Sequence, residues 1–268
     1  MTAVRLIGID VDGTLVGKSG QVPDSVWEAA RGVREAGIYL ALCSGRGAFG
    51  VALDYARRLD PDGWHIFQNG SSIVHLGGDR SLSVTIPPEP VRALIAQARA
   101  GAHILELYSD RDYVTESTSS WAREHAELLG IPFRPRPFEE LHAGVVRAQW
   151  VVSAAEAPHF MQTAPAGLEI AESTSPIMPD SRFIGLTRAG VSKGSAMRTI
   201  AQEYGIALDE VMYVGDAGND MSALRVVGVP VAMANADPAV IAVAKYVAGD
   251  VERGGLVAAF EIARNSHR

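Results

Sequence analysis

The feature that most constrains this chain is a rhythm. Short apolar runs alternate with helix-periodic stretches at both ends of the sequence, and the rhythm breaks in between. Residues 4–9 form an apolar run that gives way to acidic residues and glycine, the pattern of a buried strand opening into a loop. Residues 24–36 carry apolar positions at helical spacing behind Pro23 and Asp24, with Gly37 just past the end, as capping preferences require. Residues 38–43 are apolar again, and a helix near 48–59 and a strand near 64–68 extend the series of βα units. Such units pair into a parallel sheet. Beyond about residue 187 the order returns: helix 192–204, strand 211–214, helix 219–226, strand 229–233, helix 238–244 and a last helix near 254–264.

Between these stretches the texture changes. Strand-like runs at 81–86, 103–108, 145–152 and 182–187 are mixed with helical patterns at 89–99 and 119–129 and with Pro-rich connections such as 131–137. This order does not make βα units; it predicts an α+β insertion with a mainly antiparallel sheet. A length of 268 residues accommodates two domains. The expected division is residues 1–78 with 188–268 as an α/β core, and 79–187 as the inserted unit. Open parallel sheets bind ligands at the C-terminal ends of their strands, so residues at those ends are the first candidates for chemistry.

Composition excludes several classes. No stretch approaches the ~18 apolar residues of a membrane span, and the N-terminal apolar run is interrupted by Asp10 before it could serve as a signal core. Cys43 is the single cysteine, which rules out an internal disulfide or thiolate cluster, fits a cytoplasmic location and suits packing at a strand end. A net charge of -7 without a cluster of Lys and Arg argues against nucleic-acid partners. An anionic substrate would meet the same repulsion, so local cations or a bound metal would have to attract it.

Four segments stand at predicted strand ends or helix starts. Asp10-Val11-Asp12-Gly13-Thr14 follows the first strand and places two carboxylates two positions apart, on one side of an extended chain. One such carboxylate can attack phosphorus while the other protonates a leaving alkoxide and later deprotonates water. A calcium loop starting at Asp10 would need an acidic or amide residue at 14, Gly at 15 and Glu at 21, where the chain has Thr14, Leu15 and Gln21. Leu42-Cys43-Ser44-Gly45-Arg46 ends the second strand and is expected to open a helix; a plain N-cap at Ser44 and an anion-holding hydroxyl are both compatible with it. Val191-Ser192-Lys193-Gly194 opens a helix, where Lys193 can neutralise phosphate or fix a carboxylate. Gly215-Asp216-Ala217-Gly218-Asn219-Asp220 follows strand 211–214 with oxygens suited to a hard cation.

In this order the four segments resemble the signature motifs of haloacid-dehalogenase-superfamily phosphatases. Gln68-Asn69-Gly70 and Ala232-Met233-Ala234-Asn235-Ala236 resemble the Cof-like branch, subclass IIB. The resemblance implies a Rossmann-like parallel sheet with an inserted α+β cap that governs substrate choice. It implies Asp10 as nucleophile, Asp12 as general acid and base, and Ser44, Gly45, Lys193 and Asn219 around the phosphate. Mg²⁺ would be held by Asp10, the backbone carbonyl of Asp12 and Asp216, with Asp220 in support. Substrates would be small phosphorylated metabolites, sugar phosphates first. A magnesium ion and Lys193 would supply the neutralisation that the net charge denies. A halide leaving group needs no proton, so Asp12 favours an oxygen leaving group.

Two rival readings share these residues: a phosphomutase or phosphotransferase, and a non-catalytic phosphometabolite-binding module. In the insertion, Glu106, Tyr108, Asp110, Arg111, Trp121, His125 and Arg182 could face a substrate, although packing or surface roles are the better account of each.

Overall fold

The computed structural model describes residues 2–175 and 177–267. Its N-terminal part runs β1 (Leu6–Asp10), α1 (Asp24–Glu35), β2 (Tyr39–Cys43), α2 (Gly50–Leu59), β3 (Trp64–Phe67), β4 (Ser72–His75) and β5 (Arg80–Ser81). The middle runs α3 (Pro88–Gly101), β6 (Ile104–Tyr108), β7 (Tyr113–Thr115), α4 (Ser120–Leu128), β8 (Arg147–Ser153), α5 (Ala157–Gln162), β9 (Leu168–Ser173) and β10 (Ser181–Arg188). The rest is α6 (Lys193–Glu203), β11 (Val211–Gly215), α7 (Met221–Leu224), β12 (Val229–Ala232), α8 (Pro238–Val243), β13 (Tyr246–Val247) and α9 (Leu256–Asn265).

Two sheets result. The larger has eight strands in the order β13-β12-β11-β1-β2-β3-β4-β5, parallel from β13 to β3, with β4 and β5 antiparallel at one side. Every residue of β1 is buried, which explains its unbroken apolar run: a central parallel strand is covered on both faces. Helix α1 turns Val26, Trp27, Ala30 and Val33 inward and packs against α9, which buries Leu256, Ala259, Phe260 and Ala263. Each fully buried Val, Leu or Phe side chain stabilises by about 1.5–3 kcal/mol. The helices therefore hold the sheet rigid beneath its C-terminal edge.

The smaller sheet has five strands in the order β7-β6-β8-β10-β9, all antiparallel. Leu94 and Ala98 of α3 cover one face together with Leu105, Leu107, Trp150 and Leu186. At the passage between the sheets, Asp110 in the β6–β7 turn accepts hydrogen bonds from Ser72, Ser81 and Ser83, each 2.6 Å long.

Several expectations differ from the structure. Ser44 opens no helix: α2 starts at Gly50, and the Ser44 hydroxyl instead accepts the Arg46 N–H at 3.0 Å in a local turn. The apolar alternation at 81–86 gives a ladder only at Arg80–Ser81, and it joins the larger sheet; beyond it Leu82 and Val84 make single backbone bonds and Ile86 crosses to Val145. The helix expected at 219–226 is a short turn at Gly218–Asp220 followed by α7. Strands β7 and β9 and helix α5 carried no legible signal. No helix among the described residues is long and apolar enough to cross a membrane.

Candidate active site

The C-terminal ends of three neighbouring parallel strands converge. Asp10 ends β1 and pairs in register with Cys43, which ends β2, so Ser44 follows beside it; Gly215 ends β11 on the other side, and Asp216 follows. Lys193 is the first residue of α6, whose start is fixed by a reciprocal Ser192–Ser195 capping box. That cap aims the lysine into the sheet end. Its ammonium is fully buried and bridges two carboxylates, Asp10 Oδ1 at 2.5 Å and Asp220 Oδ1 at 2.7 Å.

Asp220 holds that lysine in place. Its Oδ1 also accepts the Tyr213 hydroxyl at 2.6 Å, and its Oδ2 accepts the backbone N–H groups of Asp216 and Ala217 at 3.0 and 3.1 Å. With both oxygens occupied, Asp220 has little left to offer a ligand. Asp216 lies opposite, with Oδ1 accepting the Thr14 hydroxyl at 3.0 Å. Gly13 (φ +88°) lets the loop turn beneath it, and any Cβ there would collide with the Asp216 carboxylate. Asn235 braces the same loop, donating to the Gly13 carbonyl at 2.8 Å while accepting the Val251 N–H.

Crowding shapes the electrostatics. Burial pushes the Asp10 carboxyl up to about 8; Lys193 opposes the shift, and Asp220 and Asp216 add to it. Burial likewise raises Asp216, against the hydrogen bond from Thr14 and with Asp220 adding to the rise. Lys193 moves the other way from what burial alone would give: Asp10 and Asp220 outweigh desolvation and raise its pKa, so it stays charged.

These residues fit a hard divalent cation. Asp10 and Asp216 each offer a carboxylate oxygen, in a group with Asp220 whose carboxylate oxygens all lie within 4.8 Å of one another. Carboxylates so close repel one another when ionised, and a divalent cation offsets that repulsion. The backbone carbonyl of Asp12 accepts no hydrogen bond among the described residues, which leaves a third oxygen on the same loop. The donor set is all oxygen, as magnesium prefers.

Asp12 stands apart from this buried cluster. Its exposed carboxylate is gripped by Arg46, with Nε and Nη2 at 3.1 and 2.6 Å. Asp12, Gly45 and Arg46 line a cavity of ≈ 690 Å³ whose other wall comes from the smaller sheet and α4 and includes Tyr108, His125 and Arg147. A second cavity of ≈ 490 Å³ is lined by Lys193, Ser192 and Asn219, with Gln68 and Arg147 common to both. Asn219 donates to Asn69 Oδ1 at 3.2 Å, and the Asn69 N–H in turn bonds the Ser44 carbonyl. Gln68 and Asn69 are both left-handed (φ 52° and 54°), a costly conformation for two successive non-glycine residues that the surrounding contacts enforce.

The structure thus gathers Asp10, Asp216, Asp220 and Lys193 into one contact cluster. Ser44 and Gly45 lie on the neighbouring strand end, and Asp12 and Asn219 face the two cavities. Sequence reasoning did not find Tyr213, which sits in an apolar strand without any signal. It also passed over Arg147 and Gln149, although two polar residues at alternate positions of an apolar strand mark one face. Among the insertion candidates, Glu106, Tyr108 and His125 form one buried network at the cavity wall. Asp110 takes the three serine bonds, Arg111 pairs with Asp79, Arg182 with Glu172, and Trp121 packs beside Phe183.

A family model described as haloacid dehalogenase-like hydrolase matches residues 7–260. The chain is 25% identical to the putative phosphatase YxeH of Bacillus subtilis (strain 168), over 90% of this chain and 92% of that one. It is 29% identical to the pyridoxal phosphate phosphatase YbhA of Escherichia coli (strain K12), over 92% of this chain and 93% of that one. Among solved structures, it is similar to the subclass IIB sugar phosphatase BT4131, with a TM-score of 0.76 and 25% identity, covering 97% of this chain and 98% of the other.

Proposed function

The chain belongs to the haloacid dehalogenase-like hydrolase family, and from that premise we propose that it is a magnesium-dependent phosphatase of small phosphorylated metabolites, sugar phosphates among them, acting through an aspartyl-phosphate on Asp10. The observation that carries this reading is the buried Lys193 ammonium bridging Asp10 and Asp220, with Asp216 beside them. A carboxylate so placed, at a strand end beside a fixed cation, is equipped for nucleophilic attack on an anionic ester.

Asp10 forms a bond to phosphorus as the bond to the leaving oxygen breaks, and Asp12 gives that oxygen its proton. Asp12 then takes a proton from water, whose oxygen displaces Asp10 and releases inorganic phosphate. Lys193 balances the charge of the transferring group, and Ser44, Gly45 and Asn219 hold its oxygens. Asp220 and Tyr213 keep Lys193 aimed. Asp10, the Asp12 carbonyl and Asp216 would hold Mg²⁺, which when bound neutralises phosphate charge and keeps Asp10 ionised. Residues 79–187 serve as the cap that excludes water and selects the leaving group.

Asp10→Asn tests the reading. Magnesium-dependent phosphate release from p-nitrophenyl phosphate is expected to disappear while the thermal unfolding transition persists. Retained turnover would sink the assignment, and transfer of phosphate to a sugar hydroxyl without its release would favour a phosphotransferase.

A further inference from the structure

Arg147 is a cation without a counter-ion. It begins β8 and its guanidinium reaches only neutral acceptors: the Gly45 carbonyl at 3.5 Å, Gln68 Oε1 at 3.1 Å and Gln149 Oε1. No carboxylate oxygen lies within 4.0 Å of it among the described residues, and Nε has no acceptor at all. The nearby carboxylate, Glu106, is already saturated. It is fully buried and accepts from the Tyr108 and Tyr113 hydroxyls, from Gln149 Nε2 and from His125 Nδ1. Donation from its Nε2 to Glu106 orients Gln149 so that its amide oxygen, not its nitrogen, meets Arg147. Burial lowers the Arg147 pKa, against the fields of Tyr108 and Glu106, which marks a poorly solvated charge.

The position is also built for the guanidinium. Gly185 of β10 lies beneath it, and a Cβ there would come within 3.2 Å of both Nε and Nη2. A glycine inside a strand weakens the sheet and marks a place where something must approach closely. Arg147 lines both cavities at the site, the larger with Asp12, Phe49, Tyr108 and His125 and the second with Lys193 and Asn219. In the larger cavity it stands with Asp12, the proposed proton donor to the leaving oxygen, which places it in the space of the leaving group. Partly buried charges are held by opposite charges, and an arginine fork matches a carboxylate or phosphate in particular.

We propose that Arg147 receives a second anionic group, a carboxylate or a further phosphate, carried by the leaving group of the substrate. The preferred substrates are then compact phosphomonoesters with another negative charge close to the ester, since Arg147 reaches Gly45, the neighbour of Ser44. This rests on the phosphatase reading above and narrows its substrate class.

The test is kcat/KM on two matched pairs: 2-phosphoglycolate against ethylene glycol monophosphate, and propane-1,3-diol bisphosphate against its monophosphate. The wild-type protein is expected to favour the charged member of at least one pair by tenfold or more, and the pair that responds identifies the group. Arg147→Met is expected to bring that ratio to within about threefold of unity, chiefly through KM. Arg147→Lys, which keeps charge without the fork, is expected to retain part of the preference and reads the same ratio should the methionine variant not fold. Equal handling of both members of both pairs by the wild-type protein overturns the inference. So does an Arg147→Met variant that slows both members by one factor, the mark of contact with the transferring phosphate itself. Failure of the Asp10→Asn test above is read separately, on p-nitrophenyl phosphate; it removes the phosphatase reading and this inference with it.

Discussion

His65 makes the protein acid-labile in a way that can be measured by itself. The residue lies in β3, fully buried, with both ring nitrogens engaged: Nδ1 accepts the Leu42 N–H at 3.0 Å, and Nε2 meets the Asp60 carbonyl at 2.7 Å. Only the neutral ring with its proton on Nε2 satisfies both partners. Protonating Nδ1 would place two N–H groups head to head. Burial lowers the pKa to about 4 from an ordinary 6.5, with the Asp60 carbonyl opposing the shift. Because the folded value is the lower one, the unfolded chain binds more protons between those limits. Stability therefore falls as pH drops from about 6.5, and the loss is complete near pH 4. At about 1.4 kcal/mol per pKa unit the total is about 3 kcal/mol. Other groups titrate in the same window, so the quantity to measure is the difference between wild type and His65→Gln in urea unfolding free energy, from pH 7.5 to 3.5. The wild-type advantage should shrink by about 3 kcal/mol across that range. A flat difference, or one with its whole change centred at 6.5, would refute the argument.

Two further outcomes are expected from the site. Lys193→Met leaves Asp10 and Asp220 buried without their cation; calorimetry should show a loss of about 3–5 kcal/mol in stability, and phosphate release should fall below one thousandth of wild type. Magnesium should raise the melting temperature of the wild-type protein, and Asp216→Asn should remove most of that rise; an undiminished rise would place the ion elsewhere.

The two ends of the chain were legible because buried parallel strands require unbroken apolar runs and their helices carry regular apolar faces. Strand β1 and helix α1 show this most plainly. The site was legible for the same reason: Asp10, Asp216 and Lys193 sit where strands end or helices begin. What escaped was set by tertiary contacts. Strand β9 reads LEIAES, and its exposure at a sheet margin removes the apolar signal. Helix α5 buries only Ala157 and Phe160, too little to make a period. Ser44 suggested a helix start because serine is a favoured N-cap residue, but the N–H its hydroxyl accepts belongs to a turn and α2 begins later without a side-chain cap. Tyr213 is invisible in sequence since its body is core and only its hydroxyl serves Asp220.

The outermost strands of the larger sheet, β5 and β13, are two residues each. An unpaired strand edge is a template on which a foreign chain can add, and two residues offer almost none of it. The six-residue β9 is the longer open margin, but it carries Glu169 and Glu172, and charged side chains on an edge disfavour the docking of a further strand. The fold thereby protects itself from growing into aggregates edge to edge, which suits a protein whose working surface must stay open to small molecules.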